Sequence, residues 1–285
     1  MAATAPADSR LYRFAFIISS TNQWPSGFES PERREGFRKA LFLPGDHEGW
    51  FRHFSRLPRL IVLYADAMDI HMHPASQEQT VHIPLCSLRY VEDGHILLQS
   101  WLKFVWAQCD VALFYNTCNR RVVDRFLREL RRAFAPQLAL DAPLEMVSLG
   151  APLDLKFENA RQSEIVFGEY VYAQLFHPAE RKFLRSGIFH REYWNPANLL
   201  LATNCRLVWV TDWHEGRREK YGNVTRYAPM CLIESAYCEP MGKAAEVTFR
   251  FRGDRSWRIA LPLEFVQDAN DFLAILTDLR RKLCG

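Results

Sequence analysis

Apolar residues recur along this chain with two periods, and the change from one to the other marks where elements begin and end. Leu60 to Tyr64 is a β-rich apolar run and Ala67 to Met72 alternates; Val81 to Ile83, Leu88 to Val91, Ile96 to Val105 and Val111 to Tyr115 continue as strand-like segments. From Asn119 the spacing becomes helical. Val122, Val123, Phe126, Leu127, Leu130 and Phe134 fall on one side, with Arg125, Arg128, Arg131 and Arg132 elsewhere. Asn119 is the expected N-cap, and Pro136 stops the helix.

The second half follows the same order. Glu169 to Phe176 reads as a strand, and Leu199 to Ala202 and Leu207 to Thr211 as a hairpin across Thr203-Asn204-Cys205-Arg206. Val247-Phe249-Phe251 and Trp257-Ile259-Leu261 alternate with polar residues on either side of the turn Gly253-Asp254-Arg255-Ser256. A last helix carries Phe265, Ala269, Phe272, Leu273, Leu276 and Leu279 on one side, with Arg280, Arg281 and Lys282 in its final turn, where cations suit the helix dipole. Two local matches align the halves. Pro84 and Pro229, each opening a Pro-apolar-Cys step, stand 145 positions apart; Phe126-Leu127-x-x-Leu130 and Phe272-Leu273-x-x-Leu276 stand 146 apart.

These patterns predict a mainly β, α+β chain. Each half is expected to be an antiparallel barrel of short strands whose apolar mouth is closed by a C-terminal amphipathic helix. The expected boundaries are 8–136 for the first domain, 137–152 for a linker containing Pro143 and Gly150, and 153–285 for the second.

Composition narrows the class without naming an activity. The chain has 285 residues, 48% hydrophobic and 24% charged, which excludes collagen-like, coiled-coil and largely disordered chains. Lys+Arg 36 against Asp+Glu 33 is a formal +3, divided as 17 against 16 in residues 1–150 and 19 against 17 in 151–285. No strong basic field exists for nucleic acid. The seven cysteines are odd in number and none is spaced Cys-x-x-Cys, so a zinc ribbon or a redox pair of that spacing is not expected. Their apolar neighbours suit a reducing compartment. The longest apolar stretch, Ile96 to Tyr115, is broken by Lys103, Gln108 and Asp110 and reads as two buried strands, so a cytoplasmic protein is expected.

The second half resembles the bacterial pleckstrin-homology-like (PH-like) domains. The residues that carry the resemblance are Gly168-Glu169, then Leu201-Ala202-Thr203-Asn204-Cys205-Arg206-Leu207, then Pro229-Met230-Cys231-Leu232-Ile233. Ala202 departs from the family spacing. The first half lacks the Gly-Glu and Thr-Asn-x-Arg-Leu elements and has Ala65-Asp66-Ala67-Met68-Asp69-Ile70 in their place. The resemblance implies an interaction scaffold without catalytic apparatus or cofactor, sometimes near membranes. Relatives that bind phosphoinositides use basic residues in an early strand-to-strand loop. The nearest candidates for anion or lipid contact are Arg181, Lys182 and Arg185, which depart from that spacing.

Other constellations carry chemistry of their own. Asp69-x-His71-x-His73 would project three ligands from one strand face, with His82 from the next strand, as a metal-dependent hydrolase would need; a polar outer face with Ile70 and Met72 packed inward is the simpler account. The basic loop containing Arg217, Arg218 and Lys220 would approach phosphate groups, or form a solvated hairpin tip. The Arg-rich helix from Arg120 to Arg132 is partly neutralised by Asp124 and Glu129, which favours a solvated face. Trp50, Phe51 and Phe54 suit a helix covering the first barrel, and Trp209, Trp213 and Trp257 suit core or rim positions. No Gly-x-Ser-x-Gly elbow or Gly-rich phosphate loop exists. The expected function is therefore non-enzymatic binding of a protein or peptide, by strand addition beside a closing helix. The alternatives are an adaptor at the inner face of an anionic membrane and the Asp69/His71/His73 hydrolase.

Overall fold

The computed structural model describes residues 14–20, 23–25, 28, 36–45, 58–72, 80–96, 99–107, 109–134, 142–186, 189–215, 218–242 and 244–284; the side chains of 134, 181–186, 189–194, 214–215 and 218–221 lie outside the description. Among the described residues the chain is a mixed α+β protein, mostly strands with three helices. Contacts divide it into two compact units, residues 1–88 with 115–134, and residues 89–114 with 135–285.

The first unit holds an antiparallel meander of β1 (Phe16–Ile18), β2 (Lys39–Leu43), β3 (Arg59–Leu63), β4 (Ala67–His71) and β5 (Thr80–Pro84), in that order across the sheet. Strands β2 and β3 are apolar at successive positions because both faces are covered. Ala40, Phe42, Leu60 and Val62 pack with Ile18, Phe28 and Tyr64 on one face. Helix α1 (Arg120–Phe134) packs against β1 and β2, burying Val123, Phe126, Leu127 and Leu130. Its charged edge meets the other face of the sheet, where Lys39 pairs with Glu129 at 3.0 Å. The expected N-cap does something else. A 3-10 turn, Thr117–Asn119, precedes the helix and is capped by Asn116, while Oδ1 of buried Asn119 accepts the Ala15 amide at 3.1 Å. The helix ends at Phe134, and Pro136 lies outside the described residues.

In the second unit an eight-stranded sheet runs β8-β7-β6-β15-β14-β13-β10-β9. Its strands are β6 (Leu88–Ile96), β7 (Gln99–Trp106), β8 (Cys109–Asn116), β9 (Val147–Gly150), β10 (Val171–His177), β13 (Asn198–Thr203), β14 (Arg206–Glu215) and β15 (Arg218–Pro229). β11 (Glu180–Ser186) and β12 (Phe189–Asn195) form a separate hairpin. β16 (Ile233–Met241), β17 (Ala244–Phe251) and β18 (Arg255–Pro262) form a three-stranded antiparallel sheet. The Thr203-Asn204-Cys205-Arg206 turn joins β13 to β14, with Ala202 opposite Leu207. All these sheets are open, with free edges, among the described residues.

Two features have no counterpart in the sequence reading. The stretch read as a linker supplies β9, which pairs in parallel with β10. Helix α2 (Leu155–Glu164) follows it, started by Asp154, whose carboxylate accepts the Phe157 amide at 2.9 Å, and held by buried Phe157. Helix α3 (Val266–Cys284) packs on β9, β10 and β16. It buries Ala269, Phe272, Leu273, Leu276 and Leu279 in a core with Leu200, Leu207, Phe249, Phe251 and Trp257. Fully burying side chains of this size is worth about 1.5–3 kcal/mol each, so the helix is held by packing more than by its own propensity.

One succession of elements occurs twice. A proline-capped 3-10 turn (Leu85–Ser87; Met230–Leu232) leads into strands of nine, eight and eight residues (β6, β7, β8; β16, β17, β18). A second 3-10 turn (Thr117–Asn119; Leu263–Phe265) then enters the helix (α1; α3).

Two of the three segments that carry the family resemblance, Gly168-Glu169 and Thr203 to Arg206, meet in a buried knot. Val166-Phe167-Gly168-Glu169 is a tight turn closed by the Glu169 amide on Val166 O at 3.0 Å, with Gly168 at φ 84°. The Glu169 carboxylate turns inward. It receives Arg206 Nε at 2.7 Å and Arg206 Nη2, Thr203 Oγ1 at 2.7 Å, and the Val166 amide at 3.1 Å. Asn204 clamps the turn to the hairpin, accepting the Tyr170 amide at 3.1 Å and donating to Gly168 O at 3.4 Å. Burial pushes the Glu169 carboxyl up, but Arg206, Thr203 and the Val166 amide outweigh it and leave the group below its ordinary value. The motif is thus a structural fastening.

Candidate docking groove

The open side of the second unit lies where β16 meets α3. Among the described residues strand β16 is the edge of its sheet, paired with β17 alone from Ile233↔Phe251 to Met241↔Ala244. Ala236 and Cys238 pack against the core, while Glu234, Ser235 and Glu239 are exposed. Helix α3 supplies the facing wall. Asn270, Leu273, Ala274, Thr277, Asp278 and Arg281 recur every three or four residues and so form one stripe. Between stripe and strand runs a groove of about 640 Å³.

Its floor is small and apolar, from Ala236, Cys238, Leu273 and Ala274. Burial pushes the Cys238 thiol up, so it behaves as a small hydrophobe. The acid on the rim is paired from within by two cations, which leaves one positive charge over. Asp278 is bonded by Lys282 and by Arg281, each at 2.6 Å, and this pair of cations holds its carboxyl below the ordinary range. Thr277 donates to Leu273 O at 2.7 Å, and Arg280 Nη1 donates to the Glu234 carbonyl at 2.6 Å, tying the strand's start to the helix. At the other end Pro240 has no amide hydrogen and limits pairing along the edge. What remains open is a short strand edge beside a helix, with a shallow apolar floor.

The candidates read from sequence fall elsewhere. Asp69 and His82 stand opposite each other on β4 and β5, with Asp69 Oδ1 2.6 Å from His82 Nδ1. His71 Nδ1 lies 3.0 Å from Thr80 Oγ1. Among the described residues Asp69, His71 and His82 do not gather into a three-ligand cluster, and His73 lies outside the description. Arg181, Lys182 and Arg185 are on β11, and Arg218 and Lys220 open β15; their side chains, and Arg217 altogether, lie outside the described residues, as do Trp50, Phe51 and Phe54. Trp257 is core, Trp213 packs edge-on against Trp101, and Trp209 is stacked under Arg226 at 4.3 Å with its indole donating to Asn198 at 2.9 Å.

One arrangement escaped the sequence reading. Ser100 Oγ lies 3.2 Å from His95 Nδ1, and His95 Nε2 lies 3.0 Å from Asp93 Oδ2. The alternation Asp93-x-His95 on β6 signals a shared face, but the link to Ser100 depends on the β6–β7 pairing. Ser100, His95 and Asp93 are 0%, 4% and 1% exposed, so this chain of polar groups is closed to a substrate in the folded state. Comparison of the sequence with models of known families and with curated proteins finds no match.

Proposed function

We propose that the chain carries two PH-like folds in tandem, roughly 8–136 and 153–285, and acts as a non-enzymatic binding protein that takes an extended peptide segment into the groove between β16 and α3. The tandem reading is supported by the element succession that occurs twice and by the buried Glu169–Arg206 fastening of the motif residues. In the second fold, β10 and β16 are the walls that α3 closes.

The single observation that carries the function is an unpaired strand edge facing a helix stripe across a small apolar floor. Backbone pairing along Ser235 to Glu239 would give affinity, and alternate side chains of the peptide would meet the floor. Asp278 is already satisfied by Arg281 and Lys282, so the groove asks for no cation from its occupant. The fitting occupant is a segment of about five residues with small or branched apolar side chains at alternate positions.

Selection of a random peptide library on the intact chain tests this. Enriched peptides should show apolar residues at period two and should protect the Ser235 to Glu239 amides from hydrogen exchange. Ala274→Trp, at an exposed helix position, fills the groove without disturbing the core and should abolish binding. Peptides that bind that variant as tightly as the natural chain would sink the reading, as would a selection without enrichment.

A further inference from the structure

We propose that the outer face of α1 is a docking surface for an anionic phospholipid bilayer. The exposed residues of this helix, among those described, are Arg121, Arg125, Arg128 and Arg132. Their four-three-four spacing places them in one row along the axis, about 16 Å long at 1.5 Å per residue.

The helix's own acids reach only one end of that row. Asp124 lies to one side, against Arg120 at 3.7 Å, and Glu129 lies between Lys39 at 3.0 Å and Arg132 at 3.2 Å. Arg121, Arg125 and Arg128 have no ion-pair or hydrogen-bond partner among the described residues. Arg131 is turned inward and 5% exposed, so it does not dilute the row. Like charges at this spacing oppose helix formation, and among the described residues only the Arg132–Glu129 pair offsets them.

The shape and chemistry of the row select the partner. A convex helix touches a plane along a single line, and here that line is all guanidinium. Arginine presents a planar fork of donors that matches phosphate oxygens. Among the described side chains no apolar residue of the helix is exposed, so it would rest at headgroup level without insertion, and an acidic partner helix would find little apolar surface to bury. Among the described side chains no exposed aromatic or amide of the helix accompanies the arginines to stack on or read bases.

Co-sedimentation of the full chain with vesicles of one quarter phosphatidylglycerol in phosphatidylcholine tests the proposal. Binding should exceed that to pure phosphatidylcholine and weaken with salt. Each arginine beside an anionic surface is worth roughly a factor of five, so R121E/R125E/R128E should lose about a hundredfold or more in partition while melting as the natural chain does. Equal binding by variant and natural chain, or no preference for the anionic vesicles, overturns it. Variant-sensitive binding to duplex DNA without binding to the vesicles also overturns it, and would make nucleic acid the partner.

Discussion

Arg206 donates through Nε to Glu169 Oε1 at 2.7 Å, and neither side chain has any exposed surface. Removing one partner strands the other charge in the interior, which typically costs about 3–5 kcal/mol. Glu169→Gln and Arg206→Met should each lose stability of that order in urea unfolding. The acid limb should change as well. The folded-state value of Glu169 is depressed, so its contribution is whole above the unfolded carboxylate value of about 4.3 and drains away as pH falls through the lower folded value. Unfolding midpoints followed from neutral pH into acid should fall less steeply in Glu169→Gln than in the natural chain.

Cys205 sits in the same knot. Burial first, and then the Glu169 charge, push its thiol up to about 12. In the native chain at mildly alkaline pH, alkylation mapped by mass spectrometry should spare Cys205 and label exposed Cys86, Cys109 and Cys118; adding denaturant should expose it.

Burial first, and then the neighbouring Cys231 thiol, push the Cys284 thiol up where α3 ends beside the turn before β16, and both residues are exposed. Oxidised glutathione, a two-electron oxidant, should join them. One thiolate displaces glutathione to give a mixed disulfide, and the other resolves it with release of a second glutathione. Non-reducing peptide maps should show the Cys231–Cys284 cross-link, and Cys284→Ser should remove it.

Phe272 is fully buried at the centre of the α3 contact, whereas Phe167 is 91% exposed at the tip of its turn. Phe272→Ala should cost about 3–5 kcal/mol, and Phe167→Ala under about 0.5 kcal/mol, by thermal or urea unfolding.

Gly94 faces Val224 across the β6–β15 ladder, and a Cβ there would lie 2.1 Å from the Trp101 ring. Trp101 is itself fixed, since its indole donates to Glu92 at 2.8 Å. Gly94→Ala should destabilise by about 1–3 kcal/mol and shift the tryptophan emission.

How much of this was legible in the sequence follows from what kind of interaction each feature needs. Period and capping are local, so the β13–β14 hairpin across Thr203 to Arg206, the β17–β18 pair and the buried side of α3 could be read residue by residue. Helix α2 could not, because its apolar residues form no clear stripe and it depends on Asp154 and on the burial of Phe157. Asn119 looked like a cap by type and position, yet the nearness of Ala15, 104 residues away, decided what its amide bonds. The elements of the groove were written in the chain; which edge of which sheet stayed open beside α3 was not.

The sequence by itself determined the mainly strand-forming character, the helix that ends each half and the residues that would face inward, because side-chain periodicity is a property of neighbouring positions. Tertiary structure alone decided that β6 pairs with β15, that Val147–Gly150 adds in parallel to β10, and that Glu169 finds Arg206. Backbone amides and carbonyls are the same at every residue, so sheet order is chosen only when the whole set of strands competes for the same hydrogen bonds and the same buried faces.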